Sequence, residues 1–390
     1  MKKIAILSFE NPFIKPNDGA KNDMKTRIQA LTRDKLYDID LYVFNKLEED
    51  FIDINNREYN INNFYQYKVK KVGIKNLFSG FPISVYKRYT TECCEELKKH
   101  SYDTIIYEGE HMALYRLRGV ANAKKHILRE HDIESIYRYE LSKSAPSLKY
   151  KIGQLMESML YKKMEKNIDT YFDDILFISK SEKEYFEKLF YNSKCRFIFM
   201  PPATTHFSEK PEFGKKKSII VYFGNMELEN NVLSILWFIK EVFSIIIEND
   251  NSIELHIIGN ISENNRRKLS VFSSNVKVLG YVDNLNKEIE KAALIASPVL
   301  YGAGVKIKVI DALSYGQVVV ATEKAIEGTE LKDKKHLIVE NNPQKLAEEC
   351  ISIIRHRDLY KSVMTGGLEF VKKYHSIDAQ AYILKNVLNE

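Results

Sequence analysis

The chain has 390 residues, of which 44% are hydrophobic and 29% are charged, and its formal net charge is +6. This composition is typical of a folded globular protein and excludes extensive disorder, and the length favours two domains over one. A net charge this small for the length does not call for a nucleic acid partner, and we expect none.

The cysteines have neither the spacing of a metal site nor that of a disulfide framework. They are Cys93, Cys94, Cys195 and Cys350, and we interpret them as reduced, mostly buried thiols of a cytoplasmic protein. The apolar run after Lys3 is too short for a signal peptide, and no segment approaches the roughly 18 uncharged apolar residues of a membrane span. A soluble or peripheral protein is therefore predicted.

The first half of the chain alternates short apolar runs with longer amphipathic segments. Strands are predicted at residues 4–7, 41–44, 104–107, 127–128, 175–178 and 197–199. Helices are predicted at residues 25–36 and, as the longest one, at 133–167. This alternation predicts a parallel sheet with helices on both faces.

The pattern pauses after Pro202 and then restarts. Residues 206–217 are polar, contain a proline and a glycine, and are interpreted as a linker. Further strands are predicted at residues 218–223, 255–258, 276–279, 294–296 and 318–321, and further helices at 232–247, 306–314 and 376–389. The sequence therefore predicts two doubly wound α/β domains, 1–204 and 205–375.

The most informative segment, residues 298–316, begins where a predicted strand ends, at the edge of a parallel sheet that binds ligands. Gly302 and Gly304 allow the backbone to approach a bulky anion, and free N–H groups at a helix start favour phosphate. Lys306 and Lys308 add positive charge at the same point. These residues indicate a phosphate site, and the alternative is an ordinary glycine turn followed by an amphipathic helix.

Asp311 follows Lys308 by three residues and shares its side of the predicted helix. A carboxylate at this place can accept hydrogen bonds from a ribose diol, as acidic residues do in dinucleotide sites. The set predicts a pocket for a nucleoside diphosphate. It is neither a Walker loop nor a GxGxxG motif, which argues against an oxidoreductase.

With these residues in place, the chain resembles the retaining GT-B glycosyltransferases (glycosyl transferases group 1), which include bacterial mannosyltransferases and capsule and exopolysaccharide enzymes. The stretches that carry the resemblance are residues 18–20, 128–135, 223–231, 256–259, 279–283, 302–311 and 321–328. The resemblance covers nearly the whole chain. It implies two Rossmann-like domains facing a cleft, the first binding the acceptor, with residues 376–390 crossing back to that first domain.

The resemblance also assigns roles to single residues. It implies that Gly19, Gly302, Ala303, Gly304, Lys306 and Lys308 bind the donor phosphates, Asp311 the ribose, and Tyr281 and Val282 the nucleobase. His131 and Asp132 are expected at the catalytic centre. The alternative for His131 is a structural role.

Five positions depart from the family pattern. The family usually has Glu at the place of Asp311 and Asn at that of Asp132, and many members have an acidic residue at that of Tyr301. Many also carry an Arg and a Lys where this chain has Met226 and Asn230. Phosphate charge would then have to be balanced by the lysines of the glycine segment.

The implied reaction moves a sugar from a nucleoside diphosphate, UDP or GDP, to a hydroxyl of a glycan or lipid-linked saccharide with retention, in bacterial surface polysaccharide synthesis. Lysines and N–H groups would stabilise the leaving diphosphate, so neither a metal nor a cofactor is expected. Two alternatives remain open. One is an epimerase or hydrolase acting on the same nucleotide sugar, and the other is a non-catalytic subunit that binds a partner glycosyltransferase.

Two further features each have two interpretations. Glu108 and Glu110 follow a predicted strand and would either bind the acceptor or stabilise a helix N-terminus. Residues 68–88 contain six basic and no acidic residues among apolar ones, including Lys75, Leu77 and Phe78. That stretch suits either an anionic membrane on the inner face of the cell or a solvated loop.

Overall fold

The computed structural model describes residues 1–14, 19–54, 59–72, 79–143, 147–214, 216–302 and 304–389. The chain forms two compact units. Unit 1 comprises Met1–Ala203 and Ile377–Glu390, and unit 2 comprises Thr204–Ser376. Each unit has its own parallel sheet and its own apolar cores.

Unit 1 contains a seven-stranded parallel sheet. Its strands are β1 (Lys2–Ser8), β2 (Tyr37–Asn45), β3 (Asn63–Lys68), β4 (Tyr102–Glu108), β5 (Ala123–Glu130), β6 (Asp174–Phe177) and β7 (Arg196–Phe199), in the order β3-β2-β1-β4-β5-β6-β7. In the centre Ile6 aligns with Leu41 on one side and with Ile106 on the other. These strands are continuous apolar runs because helices cover both of their faces.

The helices of unit 1 that precede unit 2 in the chain are α1 (Gly19–Thr32), α2 (Ile83–Tyr86), α3 (Thr91–Lys98), α4 (Leu114–Leu117), α5 (Glu134–Lys143), α6 (Leu148–Glu165) and α7 (Lys180–Leu189). The prediction of one helix over residues 133–167 is wrong. Ser147 is extended and caps α6, since its side chain accepts a hydrogen bond from the Tyr150 N–H. The hydrophobic pattern continued through this N-cap, which is why it suggested a single helix.

Unit 2 contains a six-stranded parallel sheet. Its strands are β8 (Lys217–Phe223), β9 (Glu254–Ile258), β10 (Val276–Gly280), β11 (Ala292–Ser297), β12 (Val318–Ala321) and β13 (Ile338–Val339), in the order β10-β9-β8-β11-β12-β13. The order reverses between β8 and β11. In such sheets this place is where ligands bind, at the carboxyl ends of the strands.

The helices of unit 2 are α8 (Glu229–Trp237), α9 (Ser244–Asn249), α10 (Glu263–Ser270), α11 (Leu285–Lys291), α12 (Ile307–Ser314), α13 (Glu323–Ile326), α14 (Pro343–Arg355) and α15 (Lys361–Tyr374). The predicted linker is not free of the unit. The Ser208 N–H donates to the Ser314 carbonyl over 2.9 Å, and its hydroxyl to the Tyr315 carbonyl over 2.8 Å. This segment is therefore packed against the end of α12.

One helical stretch among the described residues, Glu229–Asn249, has the length and apolar composition of a membrane span. The expectation that no segment meets those criteria is corrected here. The stretch runs from α8 through the π-helical Phe238–Phe243 into α9. Phe238 and Val242 are fully buried in the core of unit 2, so packing against the sheet accounts for its apolar character.

The last helix, α16 (Ile377–Asn389), belongs to unit 1. Leu384, Val387 and Leu388 are buried in a core shared with β1 and β2, and Lys2 Nζ donates to the Leu388 carbonyl over 2.5 Å. The chain therefore completes unit 1 only after it has built unit 2, as the resemblance implied.

Candidate functional site

Three glycines end neighbouring strands at the carboxyl edge of the unit 2 sheet. Gly224 follows β8, Gly259 follows β9 and Gly280 ends β10. Gly259 has a φ of 137°, and a Cβ there would lie 1.8 Å from the Gly224 carbonyl oxygen. Only glycine permits this close approach of two chains. The turns that follow β8 and β9 therefore pack directly against each other.

The glycine segment lies between β11 and α12, where it was predicted. Gly302 has a φ of 101° and Gly304 a φ of 71°, values that residues with a Cβ rarely adopt. Ala303 lies outside the described residues. The backbone turns here into the N-terminus of α12, whose first N–H groups have no partner within the helix.

Lys306 directly precedes α12, and its side chain contacts the glycine segment. Its Nζ donates to the Gly304 carbonyl over 2.6 Å, and a Cβ placed on Gly302 would lie 3.8 Å from it. A Cβ on Gly302 would also lie 3.7 Å from Asn230 Nδ2. The glycines thus leave space beside an ammonium group and an amide donor.

Lys308 lies one residue inside α12 and reaches across to the first strand of unit 2. Its Nζ donates to Asn231 Oδ1 over 2.9 Å and to the Tyr222 hydroxyl over 3.3 Å. Burial, together with the charge of Lys306, lowers the pKa of Lys308 to about 8. The ammonium form is therefore only moderately favoured at neutral pH, and a nearby anion would favour it further.

Asn231 is a residue whose part in this site the sequence did not reveal. Its amide accepts from Lys308 and donates to the Asn225 carbonyl over 2.9 Å. It therefore links the turn after β8 to α12. The pair Asn230-Asn231 at the start of α8 was the available signal, but the partner of Asn231, Lys308, lies 77 residues further along the chain.

Asp311 is half-buried on α12 and close to Thr204, which bonds its side chain. Burial raises the pKa of Asp311 to about 6, and the Thr204 contact opposes that shift only in part. The carboxylate is thus ionised at pH 7 at an energetic cost. Carboxylates with a pKa raised in this way are common at binding sites.

The two residues expected at the nucleobase differ in exposure. Tyr281 is 66% exposed directly after Gly280, whereas Val282 packs against the apolar core below it. Tyr301, at the position where the family often has an acidic residue, is also exposed.

In unit 1, His131 lies at the carboxyl end of β5 and belongs to a buried network of charges. His131 Nε2 lies 3.1 Å from Glu108 Oε2, and Nδ1 lies 3.9 Å from Asp23 Oδ2. Arg27 bridges both carboxylates, donating over 2.8 Å to Asp23 and over 2.6 Å to Glu108 Oε1. The imidazole is therefore oriented by a carboxylate, as catalytic histidines commonly are.

Arg129 completes this network from the end of β5. Its guanidinium lies 3.2 Å from Asp23 and donates over 2.5 Å to the Met200 carbonyl. Burial alone would raise the pKa of Asp23, but Arg129, Arg27 and His131 together hold it well below its usual range. The network ties α1, β4 and β5 together through residues far apart in sequence.

Glu108 and Glu110, which were expected either to bind an acceptor or to stabilise a helix N-terminus, are both buried. Glu108 is 1% exposed and both of its oxygens are bonded to Arg27. Glu110 is fully buried; burial, then the charges of Glu165 and Glu130, raises its pKa well above its usual range. Glu110 also opens the helical turn Glu110–Met112, as the alternative interpretation held.

Asp132 follows His131 in the same turn and is half-buried. Its negative charge is among the causes that raise the pKa of Glu134 to about 7, after burial itself and against the opposing charge of Arg138. Gly19 lies at the first position of α1, where the N–H groups have no partner within the helix.

Some basic residues of the stretch 68–88 make structural contacts. Arg88 is 5% exposed and donates to the Phe9 and Ser84 carbonyls, each over 2.7 Å. Lys70 donates to the Tyr89 carbonyl. Lys75, Leu77 and Phe78 lie outside the described residues. Part of this charge is therefore structural.

No group of three or more His, Cys, Asp or Glu side chains suited to a metal ion occurs in the part of the chain that the structure describes. Asp40 is buried and has structural partners. It accepts from the Tyr102 hydroxyl over 2.8 Å and from Asn63 over 2.7 Å. The four cysteines are free and buried.

Comparisons with known proteins find a similarity of unit 2 to one family. A family model described as glycosyl transferases group 1 matches residues 217–356. A relative from Klebsiella pneumoniae, described as an uncharacterized 44.6 kDa protein in cps region, is 26% identical over 388 residues, which are 96% of each chain. The match spans the glycine segment and Asp311.

Solved structures share the fold of the whole chain. Sucrose-phosphate synthase from Thermosynechococcus elongatus gives a TM-score of 0.72 at 15% identity, over 100% of this chain and 98% of that one. S. aureus TarM, in complex with fondaparinux, alpha-GlcNAc-glycerol and UDP, gives 0.69 at 13% identity over 100% of both chains. The predicted α/β GT-B fold and the resemblance to this family are confirmed.

Proposed function

We propose that this chain transfers a sugar from a nucleoside-diphosphate sugar to a saccharide hydroxyl, because residues 217–356 match a family model described as glycosyl transferases group 1 and the chain has a GT-B fold. One observation carries the proposal. Gly302, Gly304, Lys306 and Lys308 surround the start of α12 at the reversal point of the unit 2 sheet. This is the arrangement that phosphate requires.

The contacts of the described residues support the roles that we propose within the donor site. The glycine backbone and the first turn of α12 bind the diphosphate, with Lys306 and Lys308 as counter-charges. Asp311 accepts hydrogen bonds from the ribose, and Tyr281 stacks on the nucleobase from its exposed position. UDP is the nucleotide we expect first, since UDP is bound by the similar TarM.

The chemistry asks the protein to stabilise a leaving diphosphate. Negative charge grows on that group as the bond to the sugar breaks, and fixed donors stabilise the charge without reorganisation. The two lysines and the helix N-terminus perform this task without a metal ion. His131, oriented by Glu108, contacts the transferred sugar, and we propose retention at its anomeric carbon.

The acceptor is a glycan or lipid-linked saccharide of a bacterial surface polysaccharide. The relative from Klebsiella pneumoniae is described by its place in a cps region, which supports capsule synthesis. The bound saccharides of TarM support an acceptor of the same chemical class. A protein with this acceptor would work in the cytoplasm, at the inner face of the membrane.

A thermal-shift panel of UDP, GDP, ADP, CDP and dTDP, with and without a divalent metal, tests the donor site. A ligand that binds only the folded protein raises Tm. We expect a shift with one nucleotide that needs no metal. Lys308→Ala should abolish most of that shift, whereas Lys268→Ala, an exposed lysine of the same unit, should preserve it. Near-normal affinity of Lys308→Ala would overturn the phosphate assignment.

A non-catalytic subunit is the second candidate, and the departures at Asp132 and Tyr301 favour it. Such a protein would bind nucleotide but form no product. Incubation of the purified chain with a labelled sugar nucleotide and a saccharide acceptor separates the two. Labelled glycan indicates a transferase, release of the free sugar indicates a hydrolase, and no product with intact nucleotide binding indicates a subunit.

A further inference from the structure

The outward side of α6 carries a row of exposed apolar side chains. Leu148 is 74% exposed, Ile152 49%, Met156 41% and Met159 72%. Their spacing of four, four and three residues places them along one side of the helix, over about 16 Å. We call these four residues the outer row of α6. Single exposed apolar residues are ordinary on protein surfaces, but an aligned row marks a contact surface.

Lysines flank the outer row on both sides and at its end. They are Lys149, Lys151, Lys162, Lys163 and Lys166, all exposed. The two acidic residues of α6 point inward instead. Glu157 accepts from the Ile83 N–H over 2.6 Å, and Glu165 accepts from the Ser135 N–H over 2.8 Å. The outward side is therefore apolar along its middle and positively charged along its margins.

The inward side of α6 is fixed by the core of unit 1. Tyr161 is fully buried and Met164 and Glu165 are nearly so, and the Ser158 hydroxyl donates to the Ser135 carbonyl on α5 over 2.7 Å. The helix thus cannot rotate to bury its outer row within unit 1. None of the described residues of unit 1 covers these side chains.

The charges distinguish between a second copy of this chain and a lipid surface. Two copies meeting through their outer rows would bring lysine margins against lysine margins, and like charges would oppose the contact. Anionic lipid headgroups neutralise those lysines while the acyl boundary takes up the apolar row. The charge pattern therefore favours a bilayer.

We propose that the outer row of α6 docks unit 1 on an anionic bilayer, with the flanking lysines among the headgroups. The surface deepens the proposed function, since a lipid-linked acceptor is presented at such a bilayer. The biological use of the docking surface rests on the proposed function. Binding to the bilayer itself requires neither a sugar donor nor sugar transfer. The docking surface is separate from residues 68–88, where Arg88 is buried.

Flotation of the full chain with vesicles tests the surface. We expect binding to vesicles of phosphatidylglycerol and phosphatidylcholine, little binding to phosphatidylcholine alone, and weaker binding as salt screens the lysines. Ile152→Glu with Met159→Glu should reduce the vesicle partition coefficient at least about tenfold, because both charges would enter the apolar boundary. Circular dichroism should show both proteins equally folded.

A matched pair of changes elsewhere provides the control. Val271 and Leu359 are 75% and 71% exposed on unit 2, and Val271→Glu with Leu359→Glu changes the net charge equally. This control should float like the unchanged chain. Replacing Lys162 and Lys163 by Gln should weaken binding to anionic vesicles, whereas Lys268→Gln with Lys345→Gln should not.

Two results would overturn the proposal. One is equal vesicle binding by the outer-row variant and its control. The other is no vesicle binding together with a dimer that Ile152→Glu and Met159→Glu dissociate in size-exclusion chromatography, which would assign the surface to a second copy. Nucleotide thermal shifts on the same variants keep the two proposals apart. A chain that floats with vesicles but shows no thermal shift with any nucleotide would contradict the donor site alone. A chain that shows a nucleotide shift but does not float would contradict the docking surface alone.

Discussion

Asp311 and Lys308 show how much of a binding site depends on what surrounds single side chains. Burial raises the pKa of Asp311 to about 6 and lowers that of Lys308 to about 8. Both shifts oppose the charged form that a nucleotide would need. The two charges face the same ligand in our proposal, so a bound nucleoside diphosphate would favour both ionised states.

Asp311→Asn is expected to stabilise unit 2 while weakening nucleotide binding. The folded state holds a proton that the unfolded chain releases between pH 4 and 6, so the free energy of unfolding falls as pH rises through that window. Removing the carboxylate should raise this free energy by roughly 2–3 kcal/mol at pH 7 and by much less near pH 4. Urea denaturation followed by the fluorescence of Trp237, the single tryptophan and a unit 2 residue, measures it.

A nucleotide titration tests the second part of this prediction, the weaker nucleotide binding of Asp311→Asn. The asparagine variant should bind the nucleotide identified by thermal shift at least about tenfold more weakly, since a neutral amide accepts fewer hydrogen bonds from a diol. A variant that is no more stable at pH 7 than the unchanged chain would show that the carboxylate is already well solvated.

At the scale of elements, α1, β4 and β5 are joined by buried charges rather than by apolar contacts alone. Arg27 on α1 lies between Asp23 and Glu108, and neither its guanidinium nor the two carboxylates reach solvent to any extent. Removing one partner of such a pair lowers the free energy of unfolding by more than the intact pair contributes to it, because the remaining buried charge has no partner.

Arg27→Ala should therefore destabilise unit 1 by about 3–5 kcal/mol. Arg33→Ala removes an exposed arginine just beyond the same helix, and its exposed pair with Asp378 should contribute less than about 1 kcal/mol. Far-UV circular dichroism in urea follows the loss of unit 1, while Trp237 fluorescence reports on unit 2. Equal stability of the two variants would contradict the role of the network.

The sequence predicted most elements and the glycine segment because these depend on local patterns. Apolar runs and glycines at strand ends indicated the central strands β1, β4 and β8 and the loop before α12. The network around Glu108 was not predictable in this way, because its partner Arg27 lies 81 residues away. From the sequence alone, Glu108 at a strand end cannot be distinguished from an acceptor-binding residue, because its partner Arg27 is not apparent. The binding roles of the named site residues remain predictions.

On the scale of the whole molecule, α16 connects the end of the described chain to its beginning. Leu384 is 1% exposed in the core beside β1, and Gln380 bonds the Pro201 carbonyl over 3.1 Å. Fully burying an aliphatic side chain contributes roughly 1.5–3 kcal/mol. The helix is thus a structural part of unit 1 although unit 2 separates it from the rest.

Leu384→Ala is expected to destabilise unit 1 by about 2–5 kcal/mol, through lost apolar contact and the cavity that remains. Tyr382→Ala changes a residue of the same helix that is 70% exposed, and its effect should stay within about 0.5 kcal/mol. Differential scanning calorimetry should show a lower melting transition for unit 1, with Trp237 fluorescence unchanged at that temperature. An unchanged calorimetric trace for Leu384→Ala would contradict the packing of α16.

The discontinuous layout of unit 1 also sets an order of events on the ribosome. Domains generally fold as units while the chain is being made. Unit 2 is one unbroken segment, and all of its residues have left the ribosome once Ser376 has emerged. Unit 1 is incomplete at that stage because α16 is synthesised later. During that interval the groove of unit 1 that receives Leu384 and Leu388 is uncovered. A nascent chain stalled after unit 2 should therefore be bound by chaperones through its first-made half.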